Sequence, residues 1–379
     1  MKKFYLGIFL FMFVFSVAIV FVAVPFVVAA NLPSEVRLTN EEFAQVQPIQ
    51  LQGSRFVKQS TNKQSTVGDE DARFVELKLF GLIPIKTVKV DILPFDTVIP
   101  GGRLIGLKAK IDGVLVTDDN KELRLKKGDI IKRAGGEYIN SIAELNKIFE
   151  QNDSFISLEG ARGNSTFKAE IDMQRLGSLG LVLKDETSGI GTLTYVNPEN
   201  NNFASLGHRM NDFETSTHVD LRGGSVHDIS IIGTERSQGK RVGSYRSNLN
   251  NQKLGDILTS NNFGVFGCLA DIYDGKPLPV ASRYNIKPGK AKILSTSVSG
   301  EIKEYDIEII KTRYQKKPST KSMILRITDK ELLADTGGII HGMSGSPIIQ
   351  KGKVVGALTH VILGDLTKGY GLYIDFIMP

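Results

Sequence analysis

From residue 176 to residue 379 the chain is cut into strand-length pieces. Gly180-Leu181-Val182-Leu183, Gly191-Thr192-Leu193-Thr194-Tyr195-Val196, Ile229-Ser230-Ile231-Ile232 and Glu304-Tyr305-Asp306-Ile307-Glu308-Ile309-Ile310 are short apolar or alternating runs between turn residues. Such spacing excludes an architecture of long helices and predicts an all-β sandwich or a pair of barrels. The 38 glycines of the 379 residues supply the turns this needs. Two small barrels fit the length of the segment.

Within that region one stretch carries chemistry: Gly342-Met343-Ser344-Gly345-Ser346-Pro347-Ile348-Ile349-Gln350. Glycine lets a chain turn without a Cβ clash. Backbone N–H groups around Ser344 can then converge where the oxyanion of an acyl-transfer intermediate would sit. Serine peptidases with β-barrel folds present their nucleophile in this way, with the N–H groups of Gly342 and Ser344 as the oxyanion donors. Gly-Ser-Gly-Ser is also ordinary loop composition. Against a plain loop stand the apolar segments on both sides, Gly338-Ile339-Ile340 before and Val354-Val355-Gly356-Ala357-Leu358 after.

A serine hydroxyl needs a base, and the chain has five histidines. His208 ends a short apolar segment, Phe203-Ala204-Ser205-Leu206-Gly207-His208, and is the candidate. His218 and His227 lie in polar surroundings and read as solvated. His341 is too near Ser344 in sequence to reach it easily. His360, at the end of a strand, reads as a satisfied structural histidine. The acid that holds the imidazole tautomer is Asp329, at the end of the Leu325-Arg326-Ile327 strand, with Asp335 and Asp212 as competitors. Turn capping is the plainer role for Asp212.

The remainder of the chain indicates two or three domains in all. Lys2 and Lys3 precede an apolar run over residues 4–30. It is longer than a signal-peptide core and long enough for a spanning helix. Basic residues ahead of it keep the N-terminus cytoplasmic and place the rest outside. Val27-Val28-Ala29-Ala30 leaves cleavage open as the alternative. Residues 31–75 read as a stalk or partner-contacting linker, followed by two half-buried strands, Val75-Glu76-Leu77-Lys78-Leu79-Phe80 and Thr87-Val88-Lys89-Val90-Asp91-Ile92-Leu93. The net charge of +6 is dispersed, with no basic stripe interleaved with aromatics, so nucleic-acid binding is not indicated. Cys268, the single cysteine, excludes a disulfide framework and reads as a core residue. The chemistry calls for no metal or other cofactor.

Residues 99–175 form a further unit. Ile99-Pro100-Gly101-Gly102 and Leu104-Ile105-Gly106-Leu107 are followed by a strand, the turn Lys127-Gly128-Asp129-Ile130-Ile131, Gly136, and a helix from about Ser141 to Gln151 with Ile142, Leu145, Ile148 and Phe149 on one face. This order resembles a PDZ domain. The resemblance implies that Leu104, Ile105, Gly106 and Leu107 bind a peptide carboxylate, the peptide adding as a strand beside Leu107 to Lys110.

Taken together, Gly207-His208, the 342–350 stretch, Gly356-Ala357-Leu358-Thr359-His360-Val361, Gly369-Tyr370-Gly371 and the domain order resemble the SpoIVB peptidases of endospore-forming bacteria. The resemblance covers nearly the whole chain. It departs from the family pattern at His341 and at Arg209-Met210-Asn211. It implies a mostly β protein with an N-terminal membrane helix (1–30), a linker and strand region (31–98), an α+β PDZ domain (99–175) and a chymotrypsin-like double β-barrel peptidase domain (176–379). It also implies a catalytic set of Ser344, His208 and Asp329. The protein would be anchored or released between the forespore and mother-cell membranes. It would cleave a membrane-bound regulator of an intramembrane protease, so activating a late sigma factor, and would cleave its own N-terminal region. A non-catalytic envelope scaffold and a general quality-control peptidase are the alternatives.

Overall fold

The computed structural model describes residues 2–18, 23–44, 57–67, 70–178, 180–313, 315 and 317–378. Its centre is two rings of strands. The first uses β1 (Leu104–Val116), β2 (Leu183–Val196), β3 (Asn202–Ser205), β4 (Leu221–Glu235), β5 (Ser244–Asn261) and β6 (Gly264–Leu269). They pair in the order β1-β4-β5-β6-β3-β2, and β2 pairs back onto β1, which closes the ring. Inward positions alternate along β1 as the pleat requires, so Ile105, Leu107 and Ala109 meet Leu193, Phe203, Val226, Ile257 and Val265 in one core.

The second ring is a closed barrel of β7 (Gly289–Thr296), β8 (Ile302–Thr312), β9 (Met323–Ile327), β10 (Pro347–Gln350), β11 (Lys353–Ile362) and β12 (Asp365–Tyr373), in the order β7-β8-β9-β12-β11-β10. Its core holds Ile293, Tyr305, Ile307, Leu325, Ile348 and Leu358, together with Leu104 and Tyr245 from the first ring. The two rings are thus welded: the Leu104 N–H donates to the Thr296 hydroxyl at 2.7 Å, and the Tyr245 hydroxyl donates to the Thr296 carbonyl.

This arrangement corrects one expectation. Residues 104–110, read as the peptide-binding edge of a PDZ domain, are a wall of the first ring. Gly106 and Leu107 pair with Ile190 and Gly189 of β2 on one side and with His227 and Val226 of β4 on the other. Both edges of the strand are occupied, so no peptide can add beside Leu107 to Lys110. One of the six strands of the first ring, β1, thus comes from ahead of residue 176.

Between β1 and β2 lies an inserted α/β unit. Strands Ile130–Ala134, Phe155–Arg162 and Ser165–Asp172 continue the sheet from the far end of β1. Helix Ile142–Glu150 covers them. Ser141 caps it by accepting the Glu144 N–H at 3.1 Å, which satisfies one of the free donors at a helix start. Leu145, Ile148 and Phe149 bury against Val114, Leu158 and Phe167, as the helical spacing predicts.

The region read as a stalk is in part a sheet. Strands Glu35–Leu38, Val57–Val67, Glu70–Leu79 and Ile83–Ile92 form it, with Glu35–Leu38 parallel to Ile83–Ile92. Val36, Leu38, Val75, Leu77, Val88 and Val90 share a core with Tyr284. Arg37 ties the sheet to the end of the chain, donating to the Asp91 carboxylate at 2.8 Å and to the Asp375 carbonyl at 2.6 Å. Part of the expected stalk, residues 45–56, lies outside the described residues.

The apolar N-terminal run forms helices Lys2–Ala18 and Val24–Asn31, with residues 19–22 outside the description. Among the described residues no helix is long and apolar enough to cross a membrane.

Candidate active site

Ser344 and His208 come from different rings. Ser344 lies on the turn that enters β10, and His208 lies three residues past the end of β3. The serine turn depends on glycine. Gly342 and Gly345 have φ of 102° and 98°, a region that favours glycine. A Cβ on Gly345 would sit 2.1 Å from the Thr192 carbonyl oxygen and 2.7 Å from the Leu206 nitrogen, so the turn closes directly on the segment that leads to His208.

The N–H groups of this turn are spent one by one. His341 donates to the Gly243 carbonyl, Met343 to Ile340, Gly345 to Leu358 and Ser346 to Met343, at 2.8–3.2 Å. The N–H groups of Gly342 and Ser344 have no acceptor among the described residues. They are the two donors free to meet a ligand, and the two that sequence reasoning assigned to the oxyanion.

Thr192 of β2, which sequence reasoning missed, holds both sides together. It is fully buried. Its N–H donates to the Ser344 carbonyl at 2.8 Å and its hydroxyl to the Gly342 carbonyl at 2.7 Å, while its carbonyl accepts the Leu206 N–H at 3.3 Å. Nothing in the alternating Gly191–Val196 run marks one threonine from another, so the sequence carries no signal for it.

The histidine turn is strained where it leaves β3. Leu206 has φ of 71° and Gly207 of 67°. A left-handed conformation at a buried leucine costs on the order of 1–3 kcal/mol and collects at functional sites. It throws the chain back so that Gly207 packs on β11, where a Cβ would sit 3.0 Å from Thr359 Cγ2. The hydroxyl of Ser344 donates to the carbonyl of that same Thr359 at 2.9 Å. Ser344 and Gly207, the residue before His208, therefore meet on one residue of β11, with the serine hydroxyl resting on a backbone carbonyl.

His208 Nδ1 is 2.8 Å from the Arg209 carbonyl. That contact selects the tautomer with the proton on Nδ1 and leaves Nε2 as the base. Burial pushes the imidazole below the ordinary histidine value. The Arg209 carbonyl pulls it partly back, while His218 and His341 push it down further.

Asp329 is not brought to His208. It is the N-cap of helix Lys330–Thr336, where one carboxylate oxygen accepts the Leu332 N–H at 3.0 Å and the other the Asp306 N–H at 3.3 Å. The position held by the acid in a Ser-His-Asp set is taken here by the Arg209 carbonyl. Asp212 is buried, and its hydrogen bonds exceed those of a plain turn cap, as described below.

The other histidines also differ from expectation. His360 is not a satisfied structural residue: its ring lies 5.2 Å from that of His208, centroid to centroid, and its Nδ1 is buried without a partner among the described residues. Burial first, then the neighbouring His208, Lys321 and His218, lower it to about 4. His227 is half-buried within β4, with Nε2 2.8 Å from the Ser225 hydroxyl. His218 and His341 are exposed. Cys268 is half-buried on β6, outside the core it was expected to fill.

Residues 176–378 match the model of the family described as SpoIVB peptidase S55. No curated protein matches the chain. Among solved structures it is similar to the active form of the Rv3671c protease from M. tuberculosis, at 12% identity over 62% of this chain and 83% of that one, with a TM-score of 0.31. The inactive form of the same protease is similar at 13% identity over 50% and 80% of the two chains, with a TM-score of 0.28.

Proposed function

Since the chain belongs to the SpoIVB peptidase S55 family and is a serine peptidase, we propose that Ser344 is its nucleophile and His208 its general base. The observation that carries this reading is the nucleophile turn itself, where Gly342 and Ser344 alone keep their N–H groups free beside a half-buried serine. In the resting geometry the Ser344 hydroxyl donates to Thr359. Rotation about χ1 releases it. His208 Nε2 takes the proton as the oxygen attacks the scissile carbonyl carbon, and the two N–H groups hold the oxyanion. The proton then passes from His208 to the leaving amine, and water repeats the sequence on the acyl-enzyme. The two rings would be the halves of a chymotrypsin-like peptidase, and the inserted α/β unit a PDZ-like module.

The physiological substrate would be a membrane-bound regulator in the space between two sporangial membranes, cut at few sites, with self-cleavage near the N-terminus. Family membership supports this. So does an N-terminal helix that leaves Phe9 and Phe11 about two-thirds exposed, a surface suited to a bilayer. Labelling by a fluorophosphonate, together with the mass of the purified chain, tests the reading. Wild type takes up the probe and shortens on standing. Ser344→Ala and His208→Ala stay full length, and their turnover falls by about four to six orders of magnitude. Undiminished cleavage by Ser344→Ala would remove the serine from the mechanism.

A further inference from the structure

The third member of the site is missing where it was expected, and a buried acid lies on the base's own turn. Asp212 is 1% exposed and four residues past His208. Its carboxylate accepts from Lys184 Nζ at 2.5 Å and from the Thr187 hydroxyl at 2.7 Å, both on β2. It also accepts the Thr215 N–H and hydroxyl, each at 2.9 Å. The turn over residues 208–219 is closed by backbone bonds as well, Asp212 N–H to Thr217 at 2.9 Å and Val219 N–H to Met210 at 3.2 Å.

This turn meets the imidazole through the Arg209 carbonyl, which holds His208 Nδ1. Its other face meets the inserted unit, where a Cβ on Gly128 would sit 2.4 Å from Thr217 Oγ1. A buried carboxylate bonded four times over is a costly way to close a surface turn, because its desolvation must be repaid by every partner. We propose that Asp212 is the positioning residue of His208: clasped to β2 by Lys184 and Thr187, it fixes the turn that aims the Arg209 carbonyl at the imidazole. The proposal rests on the reading of His208 as the base. It gives Asp212 the orienting role of a triad acid without contact between the carboxylate and the ring.

The charged state of the clasp agrees with this role. Burial would raise the Asp212 carboxyl, but hydrogen bonds from Lys184, Thr215 and Thr187 outweigh it and hold the group below the usual carboxylate range. Burial would lower Lys184, and Asp212 and Glu214 together raise it. The ion pair is therefore intact throughout the range in which a histidine titrates. Around His208 the remaining titratable groups are His218, His341 and His360. Arg209 itself is paired with Asp220.

The test is the second-order rate of fluorophosphonate labelling of the full chain as a function of pH, with the melting temperature measured alongside. Asp212→Asn and Lys184→Met are expected to lower the rate about tenfold to a hundredfold, the cost of misplacing a catalytic group. They are also expected to move the acid limb to lower pH, because the Arg209 carbonyl that raises His208 is no longer held in place. Lys184→Arg keeps the clasp and both wild-type values. A folded Asp212→Asn with the wild-type rate and acid limb overturns the proposal, as does a variant whose melting point falls while its limb stays put. Should Asp212→Asn not fold, Lys184→Met and Thr187→Val decide by the same criteria. Labelling that survives His208→Ala would instead overturn the base assignment beneath.

Discussion

The turn that carries Ser344 is fixed by glycine and backbone, whereas the turn that carries His208 is fixed by charged side chains. On the serine side two glycines at positive φ admit the close approach of β2, and Thr192 supplies neutral hydrogen bonds. On the histidine side a strained Leu206 throws the chain back, and Asp212, Lys184, Arg209 and Asp220 hold it there. The nucleophile and its N–H groups thus sit in a frame of neutral groups, while the base sits in one of charged groups. Substitutions that add a Cβ should damage the first turn, and changes of charge should damage the second.

The largest effect is expected at Gly345. An alanine there would meet the Thr192 carbonyl at 2.1 Å in a backbone conformation that alanine avoids. Strain and overpacking together cost on the order of 3 kcal/mol. Gly352 has φ of 75° with open space where a Cβ would go, so Gly352→Ala pays about 1 kcal/mol of strain alone. Denaturation midpoints of the two variants should separate accordingly, and labelling should be lost only at Gly345. Equal penalties would mean that backbone strain, and not the closure of the turn on β2, sets the cost.

A smaller effect is expected from pH, and it should fall on the histidine side. His208 is held below the ordinary histidine value by burial, so it remains a neutral base in mildly acid solution. The acid limb of the labelling rate should then lie below pH 6.5. Stability begins to fall earlier. The unfolded chain takes up protons at His208 and His360 near pH 6.5, and the folded chain resists until about pH 4 at His360. Stability therefore declines as pH falls from about 6.5 toward 4. His360→Gln should flatten that decline without moving the melting point at pH 8. An unchanged slope would show that His360 does not carry the penalty.

Much of the serine side could be read from the chain, because its determinants are local. Glycines at fixed offsets from Ser344, Pro347 and the apolar pair after it all lie within one turn. The two-ring architecture was also legible, since strand-length runs and turn residues repeat along residues 176–379. The histidine side was half legible. Gly207-His208 stood out, but the strain falls on Leu206, a residue type with no conformational signature. The partners of Asp212 lie 28 and 25 residues away. The role given to Leu104–Leu107 failed for a related reason. A β-strand pattern states which residues face inward, and it does not state whether an edge is open. Here β2 and β4 occupy both edges of β1.

Asp329 gives the smallest and most discriminating effect, because two roles for it predict different numbers. As the N-cap of helix Lys330–Thr336 it accepts the Leu332 N–H and ties down the Asp306 N–H of β8. Its replacement by alanine then costs about 1 kcal/mol of stability, and Asp329→Ser, which can still cap, costs less. The helix ends at Gly337, whose φ of 70° turns the chain into the segment that leads to Ser344, so a frayed first turn would reach the nucleophile only as a slight loss of rate. The shape of the pH profile should not change, because no oxygen of Asp329 touches His208. An orienting acid behaves otherwise: Asp329→Ala would then displace the acid limb and reduce the rate by orders of magnitude, and serine would not rescue it. Measuring the limb in the alanine and serine variants places the orienting role on one side of the comparison. A fixed limb leaves it with the His208 turn, and a displaced one moves it across to the barrel that carries Ser344.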